Sequence, residues 1–356
     1  MISIILGTRP EIIKMSPVIR ECERRGLDYF ILHTGQHYSY NMDKVFFQNL
    51  NLPEARHNLD VGSGSHAEQT AKILTGTEKF LLEEKPDIVL VEGDTNTVLS
   101  GALAASKLHI KVGHVEAGLR SYDRTMPEEI NRVLADHCSD YLFAPTEHSK
   151  GILLGEGISK NKIFVTGNTI VDAVNQNLSI SEEKVNPLTD LALSSGDYFL
   201  VTVHRQENVD VRERFEGIIR GLELVVEEFE LPVVYPVHPR ARKMMEHFGL
   251  KSDKIKLIDP LDYLSFLYLE SRARLVLTDS GGVQEESCIL NVPCVTLRDN
   301  TERPETINVG ANTLAGADPE RILDSVKKML GVTNNWENPF GDGKAGERTV
   351  EIVENQ

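Results

Sequence analysis

The sequence predicts an α/β protein in which two parallel-sheet arrays follow one another along the chain. Short apolar runs alternate with longer amphipathic stretches, the pattern of buried strands connected by helices. That pattern weakens once, across Asn175–Gly196, and then resumes. At 356 residues the chain is also about twice the commonest domain size, which suits two domains of roughly 170 residues, each able to bury its own core.

In the first array the runs Ile2–Leu6, Tyr29–His33, Ile88–Glu92, Lys111–Val115, Tyr141–Ala144 and Ile163–Thr166 predict strands. In the second, Tyr198–His204, Pro232–His238, Ile255–Ile258, Leu275–Asp279 and Cys294–Leu297 do so, with helices between them such as Phe215–Glu228 and Tyr263–Glu270. Strand-then-helix order implies parallel sheets with right-handed crossovers, whose ligands lie beyond the carboxyl ends of the strands. Functional residues are therefore expected at strand exits. Asn175–Gly196, polar and serine-rich with Pro187, is expected to be a linker or irregular connection, which sets the domain boundary near residue 170.

A formal net charge of −16 argues against nucleic acid or an anionic membrane as partner, because both require a basic face. Cys22, Cys138, Cys288 and Cys294 include no CxxC pair, so neither a disulfide framework nor a thiolate zinc site is expected. Met1–Leu6 is too short and uncharged for a signal peptide, and no run reaches about 18 apolar residues. A cytoplasmic protein is the expectation.

The first strand runs into Gly7-Thr-Arg9-Pro-Glu-Ile-Ile-Lys14, placing a glycine turn and two cations where a helix begins. Free N–H groups and the positive end of the helix dipole would favour an anion there. A solvated basic pair beside an ordinary turn explains the same residues. Val89-Leu-Val-Glu-Gly-Asp94 and His114-Val-Glu116 end the next buried strands in carboxylates, and Met126-Pro-Glu128-Glu129 opens a helix with two more. Each acid alone suits a cap or dipole partner. Three carboxylate-bearing ends so close in sequence favour acid/base chemistry.

In the second half His204 and Arg205 stand at one strand exit and His238 at the next. A lone histidine is usually structural, but His204 beside Arg205 is placed to bond a phosphate or donate a proton. Thr278-Asp279-Ser280-Gly281-Gly282-Val-Gln-Glu-Glu286 reads as a strand end, a turn and a helix. Its glycines let a diphosphate approach the backbone, Ser280 adds a hydroxyl, and Glu286 suits a pair of ribose hydroxyls. Arg303, within Thr301-Glu-Arg-Pro-Glu305, adds a cation at that edge. Together these parts fit a nucleoside diphosphate.

NAD is not expected: Gly7 stands alone where G-x-G-x-x-G is required, and Gly62-Ser-Gly64-Ser-His-Ala67 follows a polar stretch, not a clear strand. No metal is expected either, since His33 and His37 flank a helix-disfavouring Gly35 and no HExxH or calcium loop occurs. The G-x-S-x-G elbow of an esterase is missing.

Taken in order, Gly7-Thr-Arg-Pro-Glu with Lys14, Gly93-Asp-Thr, His114-Val-Glu-Ala-Gly-Leu-Arg120, Pro127-Glu-Glu, Thr166-Gly-Asn, Asp279-Ser-Gly-Gly-Val-Gln-Glu-Glu286 and Thr301-Glu-Arg-Pro-Glu305 closely resemble the non-hydrolysing UDP-N-acetylglucosamine 2-epimerases over almost the whole chain. The resemblance implies a glycosyltransferase-B-like fold of two Rossmann-like domains facing a cleft. Residues 1–168 would form the first, rejoined by a C-terminal helix at about 343–356, and 169–342 the second. It further implies a homodimer that interconverts UDP-GlcNAc and UDP-ManNAc without a cofactor, for surface polysaccharide or glycan synthesis. The implied route is anti elimination of UDP to a 2-acetamidoglucal, then re-addition. By motif matching, Asp94, Glu116, Glu128 and His204 are the catalytic residues, while Arg9, Lys14, Arg205, Phe266, Ser280, Gly281, Gly282, Glu286 and Arg303 bind substrate.

The implied chemistry is coherent, because C2 has no adjacent carbonyl and only loss of UDP from C1 makes its proton removable. Charge developing on UDP is then the largest electrostatic demand, which His204, Arg9 and Lys14 would meet. Gln36-His37-Tyr38 and Val203-His-Arg-Gln206 depart from motifs that line an allosteric site in bacterial members, so activation by a second UDP-GlcNAc is in doubt. A hydrolysing relative releasing UDP and ManNAc, a glycosyltransferase and a non-catalytic nucleotide-sugar binder share parts of the pattern. The three-carboxylate cluster exceeds what simple transfer needs.

Overall fold

The computed structural model describes residues 1–36 and 40–355, with side chains outside 37–43; His37, Tyr38 and Gln356 lie outside the described residues. The chain divides into two compact units, Met1–Gln176 with Phe340–Gln356, and Asn177–Pro339. In the first unit β1 (Ile2–Leu6), β2 (Tyr29–His33), β3 (His57–Asn58), β4 (Ile88–Glu92), β5 (Lys111–Val115), β6 (Tyr141–Ala144) and β7 (Ile163–Val165) form a parallel sheet ordered β3-β2-β1-β4-β5-β6-β7. In the second, β8 (Phe199–Thr202), β9 (Val233–Pro236), β10 (Lys256–Ile258), β11 (Leu275–Thr278), β12 (Cys294–Thr296) and β13 (Asn312–Leu314) are ordered β10-β9-β8-β11-β12-β13.

These runs form strands because helices cover both faces of each sheet and apolar side chains can be buried on either side. All five residues of β1 and of β4 are buried. Ile5, Phe30, Leu32, Val89, Val91, Val98 and Ala102 build a core in the first unit. Phe199, Val201, Phe215, Ile218, Leu222, Val233 and Tyr235 build one in the second. Strand order reverses beside β1 and beside β8, so each unit has its switch point where the exits of β1 and β4, or of β8 and β11, are neighbours.

Three features differ from the sequence reading. Asn175–Gly196 is not an irregular linker, because the helix Thr169–Lys184 runs into it and a short helix, Pro187–Asp190, follows. The buried face of the longer helix passes from Ile170 and Val174 to Asn177 and Ser181, and those polar residues broke the apolar periodicity. β3 and β13 were not anticipated, since each is an edge strand of two or three residues rich in polar side chains. Finally, the ladders of β8 and β9 stop at Thr202 and Pro236, leaving His204 and His238 in the turns beyond.

The last helix, Ala345–Glu354, packs on the helix Arg9–Arg25, and a Cβ at Gly346 would lie 2.9 Å from Pro17 Cβ. Its first turn is held by Asp172, whose carboxylate accepts the N–H groups of Ala345 at 3.2 Å and Gly346 at 2.9 Å. No helix among the described residues is long and apolar enough to cross a membrane. Asp172→Ala strands these two buried donors and is expected to cost about 1–3 kcal/mol. Equilibrium denaturation measures this, and an unchanged midpoint would show that the terminal helix docks without Asp172.

Candidate active site

Because β1, β4 and β5 are adjacent, their exits bring Gly7–Lys14, Gly93–Asp94 and Glu116 to one sheet edge. Lys14, on the helix Arg9–Arg25, bonds the Glu116 carboxylate and lies 3.5 Å from Glu92 Oε1. Burial drives the Glu92 carboxyl well above the usual range, and Lys14 only partly offsets it. Glu116 itself adopts φ of +66°. That left-handed conformation is costly for a residue with a Cβ and is concentrated at functional sites.

The anion site expected on the Gly7 turn is corrected by Glu11. Its carboxylate accepts the N–H groups of Gly7 at 2.5 Å and Thr8 at 3.0 Å, and the Thr95 hydroxyl as well. Those N–H groups are occupied. The cause was legible as a capping box, Thr8 followed three residues later by Glu11. Burial raises the Glu11 carboxyl to about 7 although its three donors pull the other way. Gly7 is required by crowding, for a Cβ there would lie 2.0 Å from Thr34 Oγ1 and 2.5 Å from Thr97 Oγ1. Arg9 stacks its guanidinium 5.5 Å from the centre of the Phe46 ring.

Asp94 pairs with Arg132, and its backbone carbonyl accepts the Asn131 amide at 2.9 Å. Both partners lie on the helix Pro127–Cys138, so its start is fixed beside the β4 exit. The two acids of that helix separate in role. Glu129 is buried and accepts the N–H and hydroxyl of Ser121 at 2.9 Å and the N–H of Tyr122 at 3.0 Å, anchoring the loop. Glu128 is half-buried and has no hydrogen-bond partner among the described residues.

Behind the carboxylates, His114 spans both strand exits. Nδ1 lies 2.7 Å from Asp136 Oδ1 and Nε2 lies 2.8 Å from the Gly93 carbonyl oxygen. A carbonyl can only accept, so Nε2–H donates to Gly93, and Nδ1–H donates to the Asp136 carboxylate. Burial pushes His114 down, but Asp136 and the Gly93 carbonyl outweigh it and its pKa is raised. Asp136 also receives Arg120 at 2.7 Å and the Gly118 N–H at 3.2 Å. Sequence reasoning quoted His114 and Arg120 as motif letters without a role, since the acid that joins them lies 22 residues from His114.

In the second unit, adjacency of β8 and β11 puts His204 and Arg205 beside Asp279 and Ser280. Asp279 is fully buried. It accepts the His204 N–H at 3.0 Å, the Arg205 N–H at 2.9 Å and the Asn208 amide at 3.1 Å, and its Oδ1 lies 3.2 Å from His204 Nδ1. Burial opposes its ionisation, yet the His204 ring and these N–H donors hold its pKa below the usual range. Asp279 therefore orients His204 and leaves Nε2 as the ring nitrogen not committed to it. The sequence reading missed that role. His238 caps the helix Pro239–Phe248 by accepting the Arg240 N–H at 3.2 Å, with its ring 5.6 Å from that of His204.

Ser280 occupies the N-cap position of the helix Gly281–Ile289 without a side-chain capping bond. A Cβ built on Gly281 or Gly282 would meet nothing nearer than 3.9 Å, and neither has a positive φ. Neither packing nor strain inside the unit demands glycine there, which leaves room for an outside group against the helix N-terminus. Glu286 is buried. Arg303 Nε lies 2.7 Å from Glu285, and Phe266 packs partly buried against the core around Tyr198 and Leu200. Among the described residues no group of three or more His, Cys, Asp and Glu is placed to hold a metal ion.

A family model described as UDP-N-acetylglucosamine 2-epimerase matches residues 20–354. The UDP-N-acetylglucosamine 2-epimerase of Methanocaldococcus jannaschii is 59% identical over 99% of this chain and 98% of its own length. A crystal structure of M. jannaschii UDP-GlcNAc 2-epimerase in complex with UDP-GlcNAc and UDP has a TM-score of 0.88 and 58% identity, covering 100% of this chain and 99% of that one. The UDP-2,3-diacetamido-2,3-dideoxy-D-glucuronate 2-epimerase of Pseudomonas aeruginosa is 42% identical over 98% of both chains. The fold is α/β and glycosyltransferase-B-like.

Glu11 carries a pH signature. Its carboxyl rises from 4.5 to about 7 on folding, so the native state holds this proton more tightly than the unfolded chain. The stability it contributes is full below about pH 4.5 and is lost as pH rises through about 7, on the order of 3 kcal/mol at 1.36 kcal/mol per unit. Glu11→Gln keeps an acceptor for the turn and removes the titration. Its denaturation midpoint should vary less than the parent's between about pH 5 and 8; equal slopes would contradict the assignment.

Proposed function

The chain is an isomerase of the UDP-N-acetylglucosamine 2-epimerase family, and we propose that it interconverts UDP-GlcNAc and UDP-ManNAc by elimination and re-addition of UDP, without NAD. The observation that carries the reading is the carboxylate edge of the first unit. Asp94 pairs with Arg132 there, Glu128 lies in the first turn of the same helix as Arg132, and Glu116 stands at the next strand exit in a strained backbone.

One carboxylate takes the C2 proton as the C1–oxygen bond breaks, and UDP leaves with the electron pair of that bond. The product is a 2-acetamidoglucal. Re-addition restores the C1–oxygen bond as a proton reaches C2 on its other face. Two faces call for two proton-transfer groups, and Asp94, Glu116 and Glu128 supply the set. Lys14, bound to Glu116 and near Glu92, balances charge at that end, and Arg9, at the start of the same helix, adds a second cation.

The second unit carries the nucleotide in this reading. His204, oriented by Asp279, joins Arg205, Arg303 and the Ser280–Gly281–Gly282 turn in stabilising negative charge on the departing diphosphate. Glu286 takes the ribose hydroxyls, and Phe266 contributes apolar contact. The protein works in the cytoplasm as a homodimer, supplying ManNAc-type sugars for glycan synthesis. Exposed Ile130 and Leu134 on the helix Pro127–Cys138, with Tyr122, line a groove of about 390 Å³ of the kind a second subunit covers.

UDP-GlcNAc incubated with the protein in D₂O should gain deuterium at C2 in both epimers while remaining UDP-linked. Free ManNAc accumulating in step with UDP would favour the hydrolysing reading, and unchanged protium at C2 would reject both. Among variants, Asp94→Asn and Glu128→Gln should lower kcat by about 10²–10⁴ with little change in KM. Glu286→Ala should chiefly weaken UDP binding, by about 1.5–3 kcal/mol. A rise in KM alone for all three would overturn this division of roles.

A further inference from the structure

The second unit buries an arginine to which the proposed reaction gives no role. Arg298 follows β12, and its side chain is only 5% exposed. Its planar fork joins two loops. Nε donates to Glu207 Oε1 at 2.8 Å, Nη1 to Glu302 Oε2 at 2.8 Å, and Nη2 to Glu302 Oε1 at 2.9 Å and to Asn300 Oδ1 at 3.1 Å. A guanidinium cannot shed its charge when buried, so it is held there by the carboxylates that its fork fits.

Each of those carboxylates stands beside a cation assigned to the diphosphate. Glu207 lies two residues after Arg205, on the short helix Gln206–Val209, and Glu302 immediately precedes Arg303. The residue before Arg298 reinforces the first tie. The Leu297 carbonyl accepts the Asn208 amide at 2.9 Å, and the same amide donates to Asp279 at 3.1 Å. Glu302 also flanks the glycine turn, for its Oε2 is the atom nearest to a Cβ built on Gly281, at 3.9 Å. An unpaired carboxylate in that place would oppose an arriving diphosphate.

We propose that Arg298 is a positioning residue for the diphosphate end of the site: from a buried position it ties the loops carrying Arg205 and Arg303 to one point and offsets the charge of Glu302 beside the Gly281 turn. The inference rests on the reading of the second unit as the nucleotide carrier and adds how its phosphate end is held. The bidentate bonds from Arg298 keep the Glu302 carboxyl ionised, with its pKa lowered to about 2. Glu302 is thereby fixed against its partner and kept from the anion. The ribose end, assigned to Glu286, makes no contact with Arg298 among its hydrogen bonds. Loss of Arg298 should therefore be felt by the phosphates and not by the nucleoside.

The test is the ratio of UDP affinity to uridine affinity, measured by NMR-detected titration of the parent, Arg298→Met and Arg298→Lys. Arg298→Met should bind UDP about tenfold or more weakly while uridine stays within about threefold of the parent, as expected when a hydrogen-bonded charge is removed from the phosphate end alone. Arg298→Lys keeps the charge but not the fork and should fall between the two. A purely structural role would weaken both ligands together or neither. A ratio unchanged from the parent in both variants would therefore overturn the proposal. If Arg298→Met does not fold, Arg298→Lys decides: a ratio lowered by about threefold or more supports the role, and the parent's ratio contradicts it. A parent that binds UDP no better than uridine would instead sink the reading of the second unit as the diphosphate site.

Discussion

A carboxylate taken out of water must be met by donors, by a cation or by a proton, and this constraint shapes both units. Glu11 is met by three donors on the Gly7 turn. Asp136 is met by His114 and Arg120, and Asp279 by the backbone of the β8 exit. Glu116 and Glu92 share Lys14. Each such contact costs desolvation and regains it only in one geometry, so the loops that carry the chemistry are held to that geometry.

The result is a separation between acids that hold and acids that act. Glu129 and Glu128 are neighbours in sequence, but the first is spent on the Ser121–Tyr122 loop while the second has no hydrogen-bond partner among the described residues. Asp279 and His204 divide in the same way across two strand exits, the buried acid orienting the half-exposed ring. Glu128 therefore keeps hydrogen-bonding capacity that Glu129 has spent on holding its loop. A sheet edge of buried strands supplies both kinds within a few residues.

Much of this was legible in the sequence. Runs such as Ile88–Glu92 and Leu275–Thr278 read as strands because both their faces are covered, and the residues just past them named the candidate acids and the Ser-Gly-Gly turn. What was not legible depended on partners far along the chain. His114 finds Asp136 22 residues away, and Glu270 finds Ser287 17 residues away. Edge strands His57–Asn58 and Asn312–Leu314 carried too few apolar residues to register. The helix Thr169–Lys184 was obscured because Asn177 and Ser181 occupy its buried face. The opposite error occurred at Gly7, where a turn that looks open to anions is closed by the acid three residues into its own helix.

The proposed reaction breaks and remakes one bond, the one joining C1 to the diphosphate. Placing ¹⁸O in that bridging position and following it by ³¹P NMR during turnover tests this directly. If UDP departs and returns, the label in recovered UDP-GlcNAc should spread into the non-bridging oxygens of the β-phosphoryl group, with C2 exchange proceeding alongside. Label held wholly in the bridge while C2 exchanges would mean that the proton leaves without UDP, and elimination could not be the route.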